Sequence, residues 1–342
     1  MTRKTALVVA PGRGTYNKEE LGYLVRHHGG RAGLFTGFDA ERVARGQEPI
    51  SALDGAERFS AVKFTRGDNA SGLIYACAYA DFLSIDRDRF DIVAVTGNSM
   101  GWYIALACAG ALDAEGGFKV VNTMGTLMQD ALIGGQMLYP YVDAEWNAIP
   151  GKRAELLALT EDIPGLYLSI SLGGMIVFGG DEAALEAAGK RLPPVDGRFP
   201  MRLVNHAAFH TPLQAPVSAQ GKAALPASMF RQPACPLIDG RGQTWFPHAT
   251  DTHALWDYTF GHQVTKPYDF TASIRTGIRE FAPDAIIILG PGTTLGGAVA
   301  QALIAEGWRG LSSKTGFMSR QAEDPLLLSM GMDAQRQLAA KA

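Results

Sequence analysis

The stretch DIVAVTGNSMGWYIALACAG, residues 91–110, decides the reading of the chain. It opens with a short apolar run, Ile92–Val95, and breaks at Gly97-Asn98-Ser99-Met100-Gly101. It resumes at Trp102 as small and apolar residues that continue to Leu112. A short apolar run ended by glycine suits a strand buried on both faces, and the run after it suits a buried helix. The pentapeptide fits G-x-S-x-G, where serine sits in a tight strand-to-helix turn that flanking glycines permit. Such a turn lifts Ser99 Oγ clear of the sheet. It also aims the next backbone N–H, that of Met100, at an oxyanion beside the positive end of the helix. Ser99 is therefore predicted to be a nucleophile and Met100 an oxyanion donor. Glycine is frequent here, 40 residues in all, so the two flanks carry this reading more than the bare pattern does.

A serine nucleophile needs a base. Of seven histidines, His210 is the best placed. It lies in LVNHAAFHTPL, between a short strand and a probable helix, and Thr211-Pro212 marks the helix start. His206 is its neighbour in that segment. His27 and His28 fall at a helix end, and His248, His253 and His262 lie among polar or aromatic residues.

Outward from the turn, strands and helices alternate. Ala6–Ala10 and Ala285–Leu289 read as buried parallel strands. Lys18–His28, Gly72–Leu83, Phe118–Leu132 and Ala298–Glu306 read as helices. Between residues 134 and 206 the order becomes β-α-β-β-α-β, the ferredoxin-like pattern. The expected fold class is α/β: a large α/β-hydrolase-like domain with a parallel sheet, residues 1–133 and 207–320, carrying an inserted ferredoxin-like subdomain, residues 134–206. Residues 321–342 are expected to form a polar tail over the surface.

The formal net charge of −3 gives no global reason to expect nucleic acid or an anionic membrane as partner. Cys77, Cys108 and Cys235 are far apart in sequence and form no CxxC, which speaks against a disulfide framework and a zinc site. No metal and no resident cofactor are expected. The first apolar run ends at Pro11, too short for a signal-peptide core, and no run reaches membrane-spanning length. The expected compartment is the cytoplasm. GPGTTLGG, residues 290–297, opens a helix after a strand and so has the setting of a phosphate loop, yet it lacks the G-x-G-x-x-G spacing; a tight turn is expected there.

These residues resemble the malonyl-CoA:acyl carrier protein transacylases and the acyltransferase domains of polyketide synthases. The serine turn, usually GHSxGE in that family, reads GNSMGW here. The histidine segment, similar to AFHSPLM, is AFHTPL here. The first loop, FPGQGSQ in the family, is matched by Ala10-Pro11-Gly12-Arg13-Gly14-Thr15-Tyr16, and a late GPG loop by Gly290-Pro291-Gly292. The resemblance implies ping-pong transfer of an acyl group from an acyl-CoA thioester, through Ser99 with His210 as base, to the phosphopantetheine thiol of an acyl carrier protein. It implies a second oxyanion donor in the first loop, at Arg13. It also implies that a backbone carbonyl orients the histidine, placed here at Asp239 or Gly240 in Pro236–Gly240. Hydrolysis of carrier-bound thioesters on the same fold is the alternative. An acidic carrier protein is expected near the cleft beside the insertion, where Arg191, Arg198 and Arg202 cluster in sequence.

Three departures touch the pocket. Asn98 and Trp102 replace the residues flanking the family's nucleophile, Arg13 replaces a glutamine, and Met124 stands where the family has a malonate-binding arginine. Asn98, Trp102 and Met124 are expected to reshape the substrate pocket. A buried carboxylate without a cation is costly. The sequence thus leaves two readings open: an acyl group without a carboxylate, or one whose carboxylate is met by Arg13 from the opposite wall.

Overall fold

The computed structural model describes residues 3–341. Met1, Thr2 and Ala342, at the outer ends of the expected segments 1–133 and 321–342, lie outside the described residues. In chain order the strands are β1 Lys4–Ala10, β2 Phe90–Gly97, β3 Gly135–Pro140, β4 Leu166–Leu172, β5 Met175–Gly180, β6 Met201–Leu203, β7 Leu237–Ile238, β8 Thr244–Trp245, β9 Tyr268–Asp269, β10 Ala285–Ile288 and β11 Leu327–Ser329.

Two sheets result. The larger runs β11-β10-β1-β2-β7-β8, parallel throughout except for the β7–β8 pair. Its centre is apolar on both faces, and Ala6 to Ala10 have no exposed surface. That is why these strands read as unbroken apolar runs rather than as alternating ones. The register aligns Val9 with Thr96 on one side and with Ile288 on the other. The carboxyl ends of β10, β1 and β2 therefore finish together, and the loops at Gly290, Gly12 and Ser99 emerge side by side. Open parallel sheets bind ligands at this edge.

The smaller sheet runs β6-β3-β5-β4-β9. Its strands alternate. Met137, Tyr139, Ile176 and Phe178 pack with Leu156, Leu159 and Leu185 of the helices Lys152–Asp162 and Glu182–Arg191 to make a second core. Leu138, Ile170 and Val177 face the other way, into the main hydrophobic cluster. The period of two thus gives one sheet two apolar faces, one for its own helices and one for the cleft above Ser99. Its edge strand β9 comes from beyond the insertion, from residues 268–269, and pairs parallel to β4.

The C-terminal segment differs from expectation. It is not a draped tail: Leu327–Ser329 adds β11 to the main sheet, parallel to β10, and the helix Asp333–Ala339 follows. Leu326, Leu327 and Leu328 are buried there, which gives this polar stretch its apolar anchor. No helix among the described residues is long and apolar enough to cross a membrane.

Candidate active site

Ser99 has φ +55°, in the left-handed region. Backbone crowding explains both glycines of its turn. A Cβ on Gly97 would lie 2.2 Å from the Gly101 carbonyl oxygen, and one on Gly101 would lie 2.4 Å from that of Ala10. The turn is pinned to β1 by the Asn98 N–H, which donates to Ala10 at 3.0 Å. The helix Gly101–Cys108 begins immediately after it.

His210 also has positive φ, +58°, and its ring reaches Ser99: Oγ and Nε2 are 2.7 Å apart. The insertion holds the loop that carries it. Ser169 of β4 donates to the Phe209 carbonyl at 2.7 Å, and Gln136 of β3 donates to Ser169. On the other side of the ring, Nδ1 lies 2.5 Å from the backbone carbonyl of Gln263. A carbonyl only accepts, so Nδ1 carries the proton and Nε2 is left to accept from the serine hydroxyl. Burial drives the His210 pKa down to about 4, offset in part by that carbonyl bond. The ring is neutral at pH 7, as a base must be.

Gln263 replaces the expected holder of the histidine. Asp239 and Gly240 do not touch His210. The Asp239 carboxylate is spent on Arg241, Trp245 and the backbone N–H groups of Arg241 and Gln243. Gly240 lies behind the Tyr268 ring, where a Cβ would come within 2.4 Å of ring carbons. Tyr268 in turn donates to the Gly97 carbonyl, with its ring 5.2 Å from that of His210, so this segment supports the site from below. Gln263 follows a π-helical turn, Tyr258–His262. Its side chain donates to the Ser99 carbonyl at 3.1 Å and accepts from Tyr103 at 3.0 Å. One residue therefore grips both members of the pair. The only trace of it in the sequence is a glutamine inside the segment FGHQVT.

Ser99 separates two chambers. The inner one, about 20 Å³, is lined by Val121, Met124, Met128 and Val264, with Arg13 and Ser71 on one wall. The outer cleft, about 480 Å³, lies between the main domain and the insertion. Asn98 borders the outer cleft, not the inner chamber, and its Oδ1 is buried without a partner. Met124 lines the inner chamber and is fully buried. Trp102 lines neither. It lies behind the turn, donating to Thr259 at 3.0 Å and packing edge-on against Tyr258, so it braces the π-turn rather than shaping the pocket. Arg198 borders the outer cleft, whereas Arg191 and Arg202 are paired with Asp162 and Glu182 on the insertion surface.

Met100 and Arg13 both border the inner chamber, and the N–H of Met100 and that of Arg13 make no bond to protein among the described residues. The Arg13 side chain is otherwise engaged: Nη2 donates to the carbonyls of Thr65 at 2.9 Å and Asn205 at 2.8 Å. Among the described residues no group of three or more His, Cys, Asp and Glu side chains is arranged to hold a metal.

Known proteins share this arrangement of elements. No family model matches the chain. A malonyl CoA-acyl carrier protein transacylase of Haemophilus influenzae is 24% identical over 209 residues, covering 59% of this chain and 63% of that protein. Related transacylases of Buchnera aphidicola and Escherichia coli are matched over 46% of their length, so the chain aligns with roughly half to under two thirds of these relatives. The crystal structure of the malonyl-CoA:acyl carrier protein transacylase of Xanthomonas oryzae superposes over 100% of both chains, with a TM-score of 0.75 at 20% identity. A malonyl-transacylase solved in complex with a type II polyketide acyl carrier protein superposes over 98% of this chain and 99% of that one, with a TM-score of 0.73 at 17% identity. The fold is that of a large α/β-hydrolase-like domain with an inserted ferredoxin-like subdomain, and in sequence the chain is similar, over part of its length, to malonyl CoA-acyl carrier protein transacylases.

Proposed function

We propose that this protein is an acyl carrier protein S-acyltransferase of the malonyltransferase type. The observation that carries the proposal is the 2.7 Å contact between Ser99 Oγ and a neutral, carbonyl-anchored His210 at the boundary of two chambers.

The acyl-CoA thioester enters as substrate, with its pantetheine arm in the outer cleft and its acyl carbonyl at Ser99. As Oγ attacks, its proton passes to His210 Nε2 and the C–O bond forms. The oxyanion is received by the backbone N–H groups of Met100 and Arg13. The C–S bond then breaks, and His210 returns the proton to the departing CoA sulfur. In the second half the carrier protein's phosphopantetheine thiol gives its proton to His210 and attacks the Ser99 ester. The C–O bond breaks, and the proton goes back to Oγ. The His210 carbonyl anchor keeps the ring in one tautomer through both halves, which the symmetric reaction requires.

The carrier protein as acceptor is supported by the complex of a structural relative with such a protein. Arg198, at the lip of the cleft, is the basic residue best placed to meet an acidic partner. The test is to load the protein from malonyl-CoA, remove free CoA, and add phosphopantetheinylated carrier protein. The expected result is acyl thioester on the carrier arm, read by intact mass. Release of free acid with no acylated carrier would show that water resolves the intermediate and would sink the transferase reading.

A further inference from the structure

His206 differs from the other polar groups of the outer cleft in what it has left to offer. Its Nδ1 lies 2.9 Å from the backbone carbonyl of Val204. A carbonyl only accepts, so Nδ1 carries the proton and the lone pair of the neutral ring is on Nε2. The ring packs edge-on against Phe209, with centroids 6.1 Å apart. Nε2 has no hydrogen-bond partner among the described residues, and it keeps accessible surface where His206 borders the cleft with Ser99. Burial and the neighbouring Arg13 cation push the His206 pKa down to about 3. Such a ring is a poor base for a thiol or a hydroxyl at pH 7, but its lone pair still accepts a hydrogen bond.

The neighbouring polar side chains offer something else. Arg13 and Arg198 only donate. Thr15 donates to the Gly12 carbonyl at 3.1 Å, and Gln136 donates to Ser169 at 2.7 Å. Asn98 Oδ1 is unpartnered but buried. Across from them the insertion's wall is apolar, with Leu138, Ile170, Val177 and Leu203. The pantetheine arm, which the proposed function lays in this cleft, carries two secondary amides. Their carbonyls can meet donors, whereas their N–H groups need an acceptor. An amide N–H set against apolar side chains without one loses a hydrogen bond that it had in water.

We infer that His206 Nε2 accepts a hydrogen bond from an amide N–H of the pantetheine arm and so favours pantetheine thioesters over simpler ones. CoA and the carrier protein present the same arm, so one contact serves both halves of the transfer. The loop that ends at His210 then carries the anchor for the arm and the base four residues apart. This inference rests on the acyl-transfer reading of Ser99.

The experiment compares malonyl-CoA with S-ethyl malonothioate, a thioester of the same acyl group without amides, in wild type, His206→Phe and His206→Gln. Loading is followed by intact mass and by release of the thiol. His206→Phe keeps an aromatic ring against Phe209 but cannot accept. In this variant the ratio of kcat/KM for malonyl-CoA to that for S-ethyl malonothioate is expected to fall about 3- to 10-fold, the scale of one neutral hydrogen bond, through KM rather than kcat. His206→Gln retains an acceptor and is expected to recover part of the ratio. An unchanged ratio in His206→Phe overturns the inference, even when both thioesters load more slowly, since the ring would then only hold the loop. A ratio lowered equally by both variants also overturns it, because shape and not the lone pair would be responsible. A wild type that loads neither thioester overturns the acyl-transfer reading itself. The contact with the arm is then read by titrating CoA into Ser99→Ala with and without His206→Phe. Binding weakened about 3- to 10-fold by the second substitution supports the inference, and equal binding overturns it.

Discussion

Two buried polar centres in this molecule are built on opposite plans. Asp81 has no exposed surface and is saturated: one carboxylate oxygen meets His28 at 2.7 Å and Arg336 at 2.6 Å, and the other accepts from Tyr23 and from the Gly290 N–H, each at 2.7 Å. It ties the helix Tyr23–His28, the glycine loop after β10 and the C-terminal helix to one point. Arg13, at the mouth of the inner chamber, leaves Nε unpartnered and meets no carboxylate of its own. Asn98, which borders the outer cleft together with Arg13, leaves Oδ1 unpartnered as well. A buried carboxylate with both oxygens bonded fixes structure, whereas unpartnered buried donors and acceptors call for an explanation, and those of Arg13 and Asn98 belong to residues that line the cleft with Ser99. The contrast is one between the Asp81 carboxylate and the Arg13 guanidinium themselves, since His28 Nδ1 in the closed centre is also unpartnered.

The comparison can be broken or sharpened by substitution. The largest effect is expected inside the site. His210→Ala should slow acyl loading by about 10³-fold or more, the loss of a positioned general base, with little change in melting temperature. Stopped-flow release of CoA measures it, and a tenfold change or less would mean that Ser99 is activated by something else. Next comes the closed centre. Asp81→Asn strands the buried Arg336 cation and should cost about 3–5 kcal/mol of stability, measured by urea denaturation. A loss below about 1 kcal/mol would show that the network is dispensable and would remove the contrast.

A pH titration is expected to give a smaller and more diagnostic signal. The base must be neutral, and its pKa is depressed to about 4. The kcat/KM for loading should therefore stay level from about pH 8 to about pH 5 and fall below that. A midpoint near the ordinary histidine value would mean that the ring is solvated. Stability follows the same group. The folded state holds His210 neutral below its ordinary pKa while the unfolded chain binds a proton, so this contribution is complete above the unfolded value and is lost as pH falls toward 4. The smallest effect belongs to the open centre. Arg13→Gln should change stability by no more than about 1 kcal/mol, because the desolvated charge it removes offsets the carbonyl contacts it weakens.

How far the sequence could be read followed from how local each requirement is. Ser99 was legible because its turn needs glycine at 97 and 101 to clear backbone atoms, and the need shows in the pattern itself. His210 was legible through Phe209 and Thr211-Pro212, a rigid loop-to-helix junction. Gln263 was not, because what it offers His210 is a backbone carbonyl, which has no side-chain signature. The resemblance points instead to Asp239 or Gly240, whose segment supports the site through Tyr268 and not through His210. Trp102 is three residues from Ser99 in sequence, yet the helix turns it away from the cavity toward Thr259. The strand β11 was hidden because its apolar run is short and set among polar residues, and only pairing with β10 gives it a place. The arrangement of the insertion was readable from its β-α-β-β-α-β order, but β9, joined to it from residues 268–269, was not, being two residues long.

The central claim is that Ser99, poised by His210, takes up an acyl group. It is tested most directly by incubating wild type and Ser99→Ala with malonyl-CoA, weighing each protein intact, and locating any adduct by peptide mapping. The account predicts one acyl adduct on wild type, on the peptide bearing Ser99, and none on the variant. An adduct that persists in Ser99→Ala, or a wild type that neither gains mass nor releases CoA, would contradict it.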